Sequence, residues 1–252
     1  MIRQILTSIL DSLEGDFFTN AYSKVPKQAP YEKVEPINSK PFGDIYGFED
    51  IKELFMRAIC SEKQTHILLC GPPACPKSLF LQELAKLNDS YFTLGSTSTK
   101  SGMVDALFEL EPRFLIIDEL EKMSIKDQTV LLSLMEGGVI SETKHRKIRQ
   151  SQLHTSVFAA SNSTDNLLPP LLTRFSVLKL QPYSFEEFKE ITRRILFREG
   201  GIDAASSDII SDTVWNKMKS ANLRDCVRIA HMARSKDDIP WVASTLMKYS
   251  KV

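Results

Sequence analysis

A lysine followed by a hydroxyl residue, at the end of a glycine- and proline-rich turn, can hold a chain of phosphates. The run Gly71-Pro72-Pro73-Ala74-Cys75-Pro76-Lys77-Ser78-Leu79 has that form. The apolar stretch His66 to Cys70 leads into it and a helix-like stretch leads out. In a strand–turn–helix setting, backbone N–H groups and the positive end of the helix face anionic oxygens. Lys77 would reach the outer phosphates, and the Ser78 hydroxyl would offer an oxygen to Mg2+. The loop departs from the usual pattern before the lysine, where Pro76 stands in place of glycine. Proline has no N–H, so one phosphate donor is lost, although its fixed φ suits the first turn of a helix. By itself the segment also reads as a plain proline-rich turn.

The second chemical signal is Phe114-Leu-Ile-Ile-Asp118-Glu119, a uniformly apolar run ending in two adjacent carboxylates. A strand of that kind is covered on both faces. If it neighbours the strand before the phosphate loop, Asp118 lies near Mg2+ and holds it through water, and Glu119 lies near the terminal phosphate. Glu119 would then act as general base on an attacking water. Two solvated acids after a strand are the plain alternative, but their position beyond a Lys-Ser loop favours the metal-and-base reading.

The elements that would position these groups alternate. Strands are expected at 66–70, 91–94, 114–117, 157–160 and 177–180, with helices at 78–87, 102–110 and 124–136 between them. Ser124 can cap the last of these helices, and Gly137-Gly138 ends it. This alternation predicts a five-stranded parallel sheet with helices on both faces. After Pro182 only helical patterns remain. Ser184-Phe-Glu-Glu187 is a capping box followed by Phe188, Ile191, Ile195 and Leu196 at helical spacing, with further helices near 213–218, 223–233 and 241–249. The expected organisation is therefore 41–181 as an α/β nucleotide-binding domain and 182–252 as a small all-helical domain. Ahead of both, in 1–40, an amphipathic helix (Ile2, Ile5, Leu6, Ile9, Leu10, Leu13) leads into a linker with Pro26, Pro30 and Pro36.

Composition adds limits. The 252 residues carry 32 basic and 32 acidic side chains, so no net charge draws the chain to nucleic acid or to a membrane surface. No apolar run is long enough to cross a bilayer. The amino terminus lacks a signal-peptide cleavage pattern, and Cys60, Cys70, Cys75 and Cys226 form no CxxC pair. A reducing cytoplasm suits that usage. The four histidines show no metal-ligand spacing.

Taken in order, Gly71–Ser78, Ile116-Ile-Asp-Glu119, Phe158-Ala-Ala-Ser-Asn162, Leu172-Thr-Arg174-Phe175 and Asn222-Leu-Arg224-Asp225 resemble the motif series of AAA+ P-loop ATPases. The resemblance covers about residues 41–235; it is similar in character to the RuvB-like group and also resembles the MoxR and MCM groups, especially at Leu134-Met-Glu-Gly-Gly-Val-Ile140. It implies ATP/ADP and Mg2+ as cofactors, with Gly71–Ser78 as the Walker A loop and Asp118-Glu119 as Walker B. Asn162 would be sensor 1, orienting the attacking water with Glu119. Arg174 would be an arginine finger reaching a neighbouring subunit's site, and Arg224 would be sensor 2, closing the lid. Ile45-Tyr46-Gly47 would cup adenine. A finger acting in trans requires an oligomer, by analogy a six-membered ring.

What such a motor acts on is indicated only locally. Val139 to Arg149 reads as a hairpin whose tip carries Lys144, Arg146, Lys147 and Arg149, which could neutralise DNA phosphates or simply be solvated. The RuvB group has a DNA-binding domain after its lid, and the chain given ends at Val252, short of one. The expectation is therefore an ATP-hydrolysing ring motor, a helicase or translocase on DNA or a remodeller of a protein complex. The alternative is an ATP-binding assembly scaffold slowed by its altered loop.

Overall fold

The computed structural model describes residues 41–43, 45–144 and 147–249, with the backbone alone at 143, 144 and 147. The amphipathic spacing at 2–13 and the linker up to residue 40 lie outside the described residues.

Helix α1 (Glu49–Cys60) opens the described fold and was not expected from the sequence. Its start carries no side-chain cap, only Phe48 in the left-handed region at φ 57°. It buries Phe55, Ala58 and Ile59. Strand β1 (Ile67–Cys70) follows, then α2 (Lys77–Leu84), β2 (Ser90–Leu94), α3 (Lys100–Leu110) and β3 (Phe114–Asp118). A short 3-10 turn, Leu120–Lys122, leads to α4 (Ile125–Gly137). Ser124 caps α4 by accepting from the Asp127 N–H, and Gly138 ends it at φ 68°.

The antiparallel hairpin expected near 139–149 is β4 (Val139–Lys144) paired with β5 (Lys147–Gln152). Strand β6 (Ser156–Ser161), the short α5 (Pro169–Leu172) and β7 (Ser176–Lys179) complete the main sheet. Its order is β2-β3-β6-β1-β7, and every pairing is parallel.

Period-two alternation along these strands divides the core. Leu68, Leu115, Ile117, Val157 and Ala159 face α3, α4 and α5. Ile67, Leu69, Ile116, Phe158 and Ala160 face α1 and α2, where Phe42, Phe55 and Phe80 pack ring on ring at 5.4–5.7 Å. With both faces covered, β1 and β6 are buried along their whole length. The fold class read from the sequence is the one observed.

Beyond β7 the chain is helical. The capping box at Ser184 and Glu187 starts α6 (Phe185–Gly200), with each side chain bonded to the other residue's backbone N–H. Helix α7 (Ala204–Asp212), capped by Asp203, was missed in the sequence, and the helix expected at 213–218 is the π-type continuation Thr213–Lys217. Helices α8 (Leu223–Met232) and α9 (Ile239–Tyr249) close this unit around Phe188, Ile210, Val214 and Ile229. Phe48 joins the two parts, touching Phe80 on one side and Tyr183 on the other.

His66, at the root of β1, ties the sheet to α4. Its Nδ1 accepts from the Val157 N–H at 3.0 Å and the ring also hydrogen-bonds the Met135 backbone. Burial pulls its pKa down from 6.5 to about 4. The native state therefore favours the neutral ring more than the unfolded chain does. That stability is full above pH 6.5 and is lost as pH falls through 4. The thermal unfolding midpoint should drop between pH 6.5 and 4, and a His66→Gln protein, less stable at pH 7, should show a shallower drop there. An equal slope in both proteins would show that His66 is not the group responsible.

Candidate functional site

Parallel pairing brings the C-terminal ends of β3, β6 and β1 to one edge. Cys70 is in register with Ser161, and Ile117 with Ala159. The phosphate loop leaves that edge from β1, the acidic pair from β3 and Asn162 from β6.

The loop turns within very little space. The Gly71 N–H donates to the Ser161 carbonyl at 3.2 Å, and the Leu180 N–H to the Cys70 carbonyl at 2.8 Å. A Cβ on Gly71 would lie 2.6 Å from the Leu180 carbonyl oxygen, so glycine is required there. Ala74 has φ 73°, a left-handed conformation that costs a non-glycine residue about 1–2 kcal/mol. Pro72, Pro73 and Leu79 are exposed, Cys75 and Ser78 half-buried and Pro76 buried. Pro76 stands at the head of α2 at φ −75°, and its carbonyl accepts from the Phe80 N–H. The Cys75 thiol lies 3.9 Å from the Leu180 carbonyl, and burial raises its pKa.

Lys77 is 5% exposed, and its ammonium donates to the Gly71 and Pro72 carbonyls, each at 2.7 Å. Burial lowers its pKa, opposed by Cys75, Asp118, Glu121 and Cys70 nearby. Asp118 accepts the Glu119 N–H at 2.8 Å. Glu119 sits at φ 55°, with its carboxylate 2.7 Å from the Lys122 ammonium. The Lys122 hydrogen bond first, and also one from Ser96, hold its pKa below the usual carboxylate value.

Two residues not singled out in the sequence belong to this edge. Gly95 follows β2. Its N–H donates to the Asp118 carbonyl at 2.7 Å, and a Cβ there would lie 2.2 Å from the Glu119 carbonyl oxygen. Glu121 accepts from Asn162 Nδ2 at 2.6 Å and lies 3.0 Å from the Ser161 hydroxyl. The run Asp118-Glu119-Leu-Glu121 displays a third acid, but only the turn Leu120–Lys122 brings it back over β6.

Other expected site residues stand apart in the described contacts. Arg174 donates to the Pro170 carbonyl and pairs with Glu136, each at 2.7 Å. None of the loop or acidic-pair residues is among its partners. Arg224 lies in the first turn of α8, where its N–H donates to the Asn222 side chain. Its exposed guanidinium makes no ion pair among the described residues. Ile45 is 3% exposed and belongs to the core, so it can offer a ligand only backbone. Tyr46 lies beneath the Arg194 guanidinium, 4.9 Å away, and Gly47 has φ 69°. These three line a cleft of about 470 Å3 with Gly43, Glu49 and Arg194, and no phosphate-loop residue lines it.

At the hairpin, Arg149 is committed within the chain. It pairs with Asp105 and Glu142 and lies 4.7 Å over the Phe108 ring. Arg146 and the side chains of Lys144 and Lys147 lie outside the described residues. No helix among the described residues is long and apolar enough to cross a membrane.

A parallel sheet with a glycine-bounded loop between β1 and α2, a lysine over that loop and acids at the end of β3, which is separated from β1 by β6 and is not its neighbour, defines the P-loop nucleotide-binding fold, here followed by a helical unit. Residues 67–183 match the family model of the ATPases associated with various cellular activities, the AAA family. That segment belongs to the AAA family, and the chain is related to RuvB and the MCM proteins. It is 32% identical over 163 residues to the Holliday junction branch migration complex subunit RuvB of Acholeplasma laidlawii, a match covering 59% of this chain and 48% of the relative. It is 27% identical over 176 residues to the DNA replication licensing factor MCM6 of Arabidopsis thaliana, covering 53% of this chain and 21% of the relative. The chain thus spans about half or less of these relatives' length. The Thermotoga maritima RuvB Holliday junction branch migration motor has the same fold, with a TM-score of 0.63 at 21% identity over 82% of this chain and 72% of that one.

The Gly95 approach gives a direct test. Gly95→Ala should displace the Asp118-Glu119 turn and lower stability by about 1–3 kcal/mol, measured by urea unfolding. A change below about 0.5 kcal/mol would show that the contact yields easily.

Proposed function

We propose that the chain is an ATP-binding and ATP-hydrolysing AAA+ motor that works in the cytoplasm as an oligomeric ring, six-membered by analogy, on DNA or on a protein complex. The observation that carries this is the convergence of Lys77, Asp118, Glu119 and Asn162 at the ends of three neighbouring parallel strands. A polyphosphate over α2 would draw the Lys77 ammonium from two neutral carbonyls, because a charged acceptor bonds it more strongly. The Ser78 hydroxyl and Asp118 carboxylate are hard oxygen donors of the type Mg2+ prefers, and they would hold it. When bound there, the metal supplies charge neutralisation to the phosphates.

Glu119 accepts the proton of the attacking water. To reach the water it must exchange its Lys122 partner. Asn162 orients the same water. Arg174 serves a neighbouring subunit and Arg224 closes the helical unit on the nucleotide, a role its uncommitted guanidinium supports. Ile45, Tyr46 and Gly47 border the base. The named DNA relatives, RuvB and the licensing factor, support a DNA substrate. At the hairpin the candidates for phosphate contact reduce to Lys144, Arg146 and Lys147. The described cysteines, all free, suit a reducing compartment.

Steady-state hydrolysis with Mg2+ tests the reading. Glu119→Gln should lower turnover by about 10²–10⁴-fold while nucleotide binding persists. Turnover that survives the change would remove Glu119 as the base.

A second reading, an assembly scaffold with little hydrolysis, is favoured by Pro76 without an N–H and Ala74 at positive φ. Under it, the wild-type protein binds ATP tightly without turnover, and the double reversion Ala74→Gly, Pro76→Gly raises turnover about tenfold or more. Wild-type turnover within a few-fold of the reverted protein would reject the scaffold.

A further inference from the structure

We propose that Glu121 is a positioning residue, which fixes the direction of the Asn162 side-chain amide at the phosphate edge. This rests on the ATPase reading of that edge.

An asparagine amide has two N–H donors at one end and a carbonyl acceptor at the other, and the two ends have nearly the same shape. Packing alone does not choose between them, so a partner must. Asn162 is exposed, and its described side-chain partner is Glu121, with Nδ2 2.6 Å from Oε1. A carboxylate only accepts, so it admits the N–H2 end and turns Oδ1 to the opposite side. There Oδ1 can accept from a water, while the second N–H remains free to donate. A single contact thus decides both what Asn162 offers and where.

The carboxylate itself is held in place. Its other oxygen, Oε2, lies 3.0 Å from the hydroxyl of Ser161, which is 1% exposed and in register with Cys70, the last residue before the phosphate loop. That hydroxyl also lies against the Ser163 carbonyl. With one hydrogen it serves one of the two at a time, so Asn162 is the firmer partner. The backbone of the turn Leu120–Lys122 is anchored by the buried Leu120 and by the Lys122 N–H donating to the Glu119 carbonyl. The Glu121 carboxylate is also near enough to Lys77 to favour its charged form. It therefore touches the end of β6 and also acts on the phosphate-loop lysine. The general base precedes it by two residues on the same turn. A shift of this turn would move the base and the Asn162 amide together.

The test compares Glu121→Gln and Glu121→Ala under saturating Mg·ATP. Glutamine fills the same space but can present either a donor or an acceptor, so it no longer dictates the amide direction. Both variants should lose roughly ten- to hundredfold in kcat, with KM within about threefold of wild type. Adding Asn162→Ala to either should cost little more, since the two residues act as one unit. Wild-type kcat in Glu121→Gln would show a space-filling role only and overturn the proposal, as would additive losses in the double variants. The side-chain amide of Asn162, followed by 15N NMR, gives a readout without turnover. One of its N–H protons should be shifted downfield in wild type and lose that shift in Glu121→Ala. If wild type has no Glu119-dependent turnover, the motor reading fails, and this signal decides the orientation claim separately. An unchanged signal in Glu121→Ala overturns that claim.

Discussion

The parallel ladders that join β3 to β6 and β6 to β1 hold the rest of the molecule in place. Parallel strands expose all their C-terminal ends at one edge, and each strand must then hand over to a helix packed on a face. The elements carrying Lys77, Asp118 and Asn162 leave the sheet at one edge because three strand ends lie side by side there. The turns at that edge are correspondingly crowded. Gly71 passes under the Leu180 carbonyl and Gly95 under that of Glu119, with no space for a Cβ at either point. The site is thus a property of backbone spacing first and of side-chain chemistry second.

Charge at this edge is arranged in pairs with unequal partners. Lys77 rests on two carbonyls, which are neutral, and Glu119 rests on Lys122, which is charged. A charged acceptor could replace the first arrangement at little cost, whereas freeing Glu119 requires breaking an ion pair, half-exposed on the lysine side. Surface pairs of that kind are weak because water screens them, so the exchange remains accessible. Arg174 and Arg149 are each held by acids of their own chain, Glu136 for one and Asp105 with Glu142 for the other. Both arginines are thereby given fixed directions. For Arg149 that direction lies along α3, which ties the hairpin to the domain body.

The departures in the loop can be located physically. Ala74 occupies a left-handed position where glycine would be unstrained, and Pro76 meets the φ of the helix start while withholding an N–H. The loop keeps its shape in spite of both because Gly71 and the buried Lys77 are anchored independently, to β6 on one side and to the loop's own carbonyls on the other. The strain falls on residues with little else to hold and leaves the lysine in place.

Much of this was legible in the residues alone. The uniformly apolar runs identified strands covered on both faces, and the Ser184 capping box and Ser124 cap identified helix starts, because these signals are local. That Lys77 and Ser78 open a helix after a strand, and that Asp118 and Glu119 follow an apolar one, was legible because those patterns are local. Helix α1 was passed over for want of a capping side chain, and α7 because its serines weaken the apolar pattern. Tertiary structure alone decided that Glu121 reaches Asn162, that Gly95 backs the acidic pair and that Arg149 is taken up by α3. Each of these contacts joins residues far apart in the chain or turned by a single 3-10 turn. Their partners are set by strand order and backbone proximity, which no local spacing encodes.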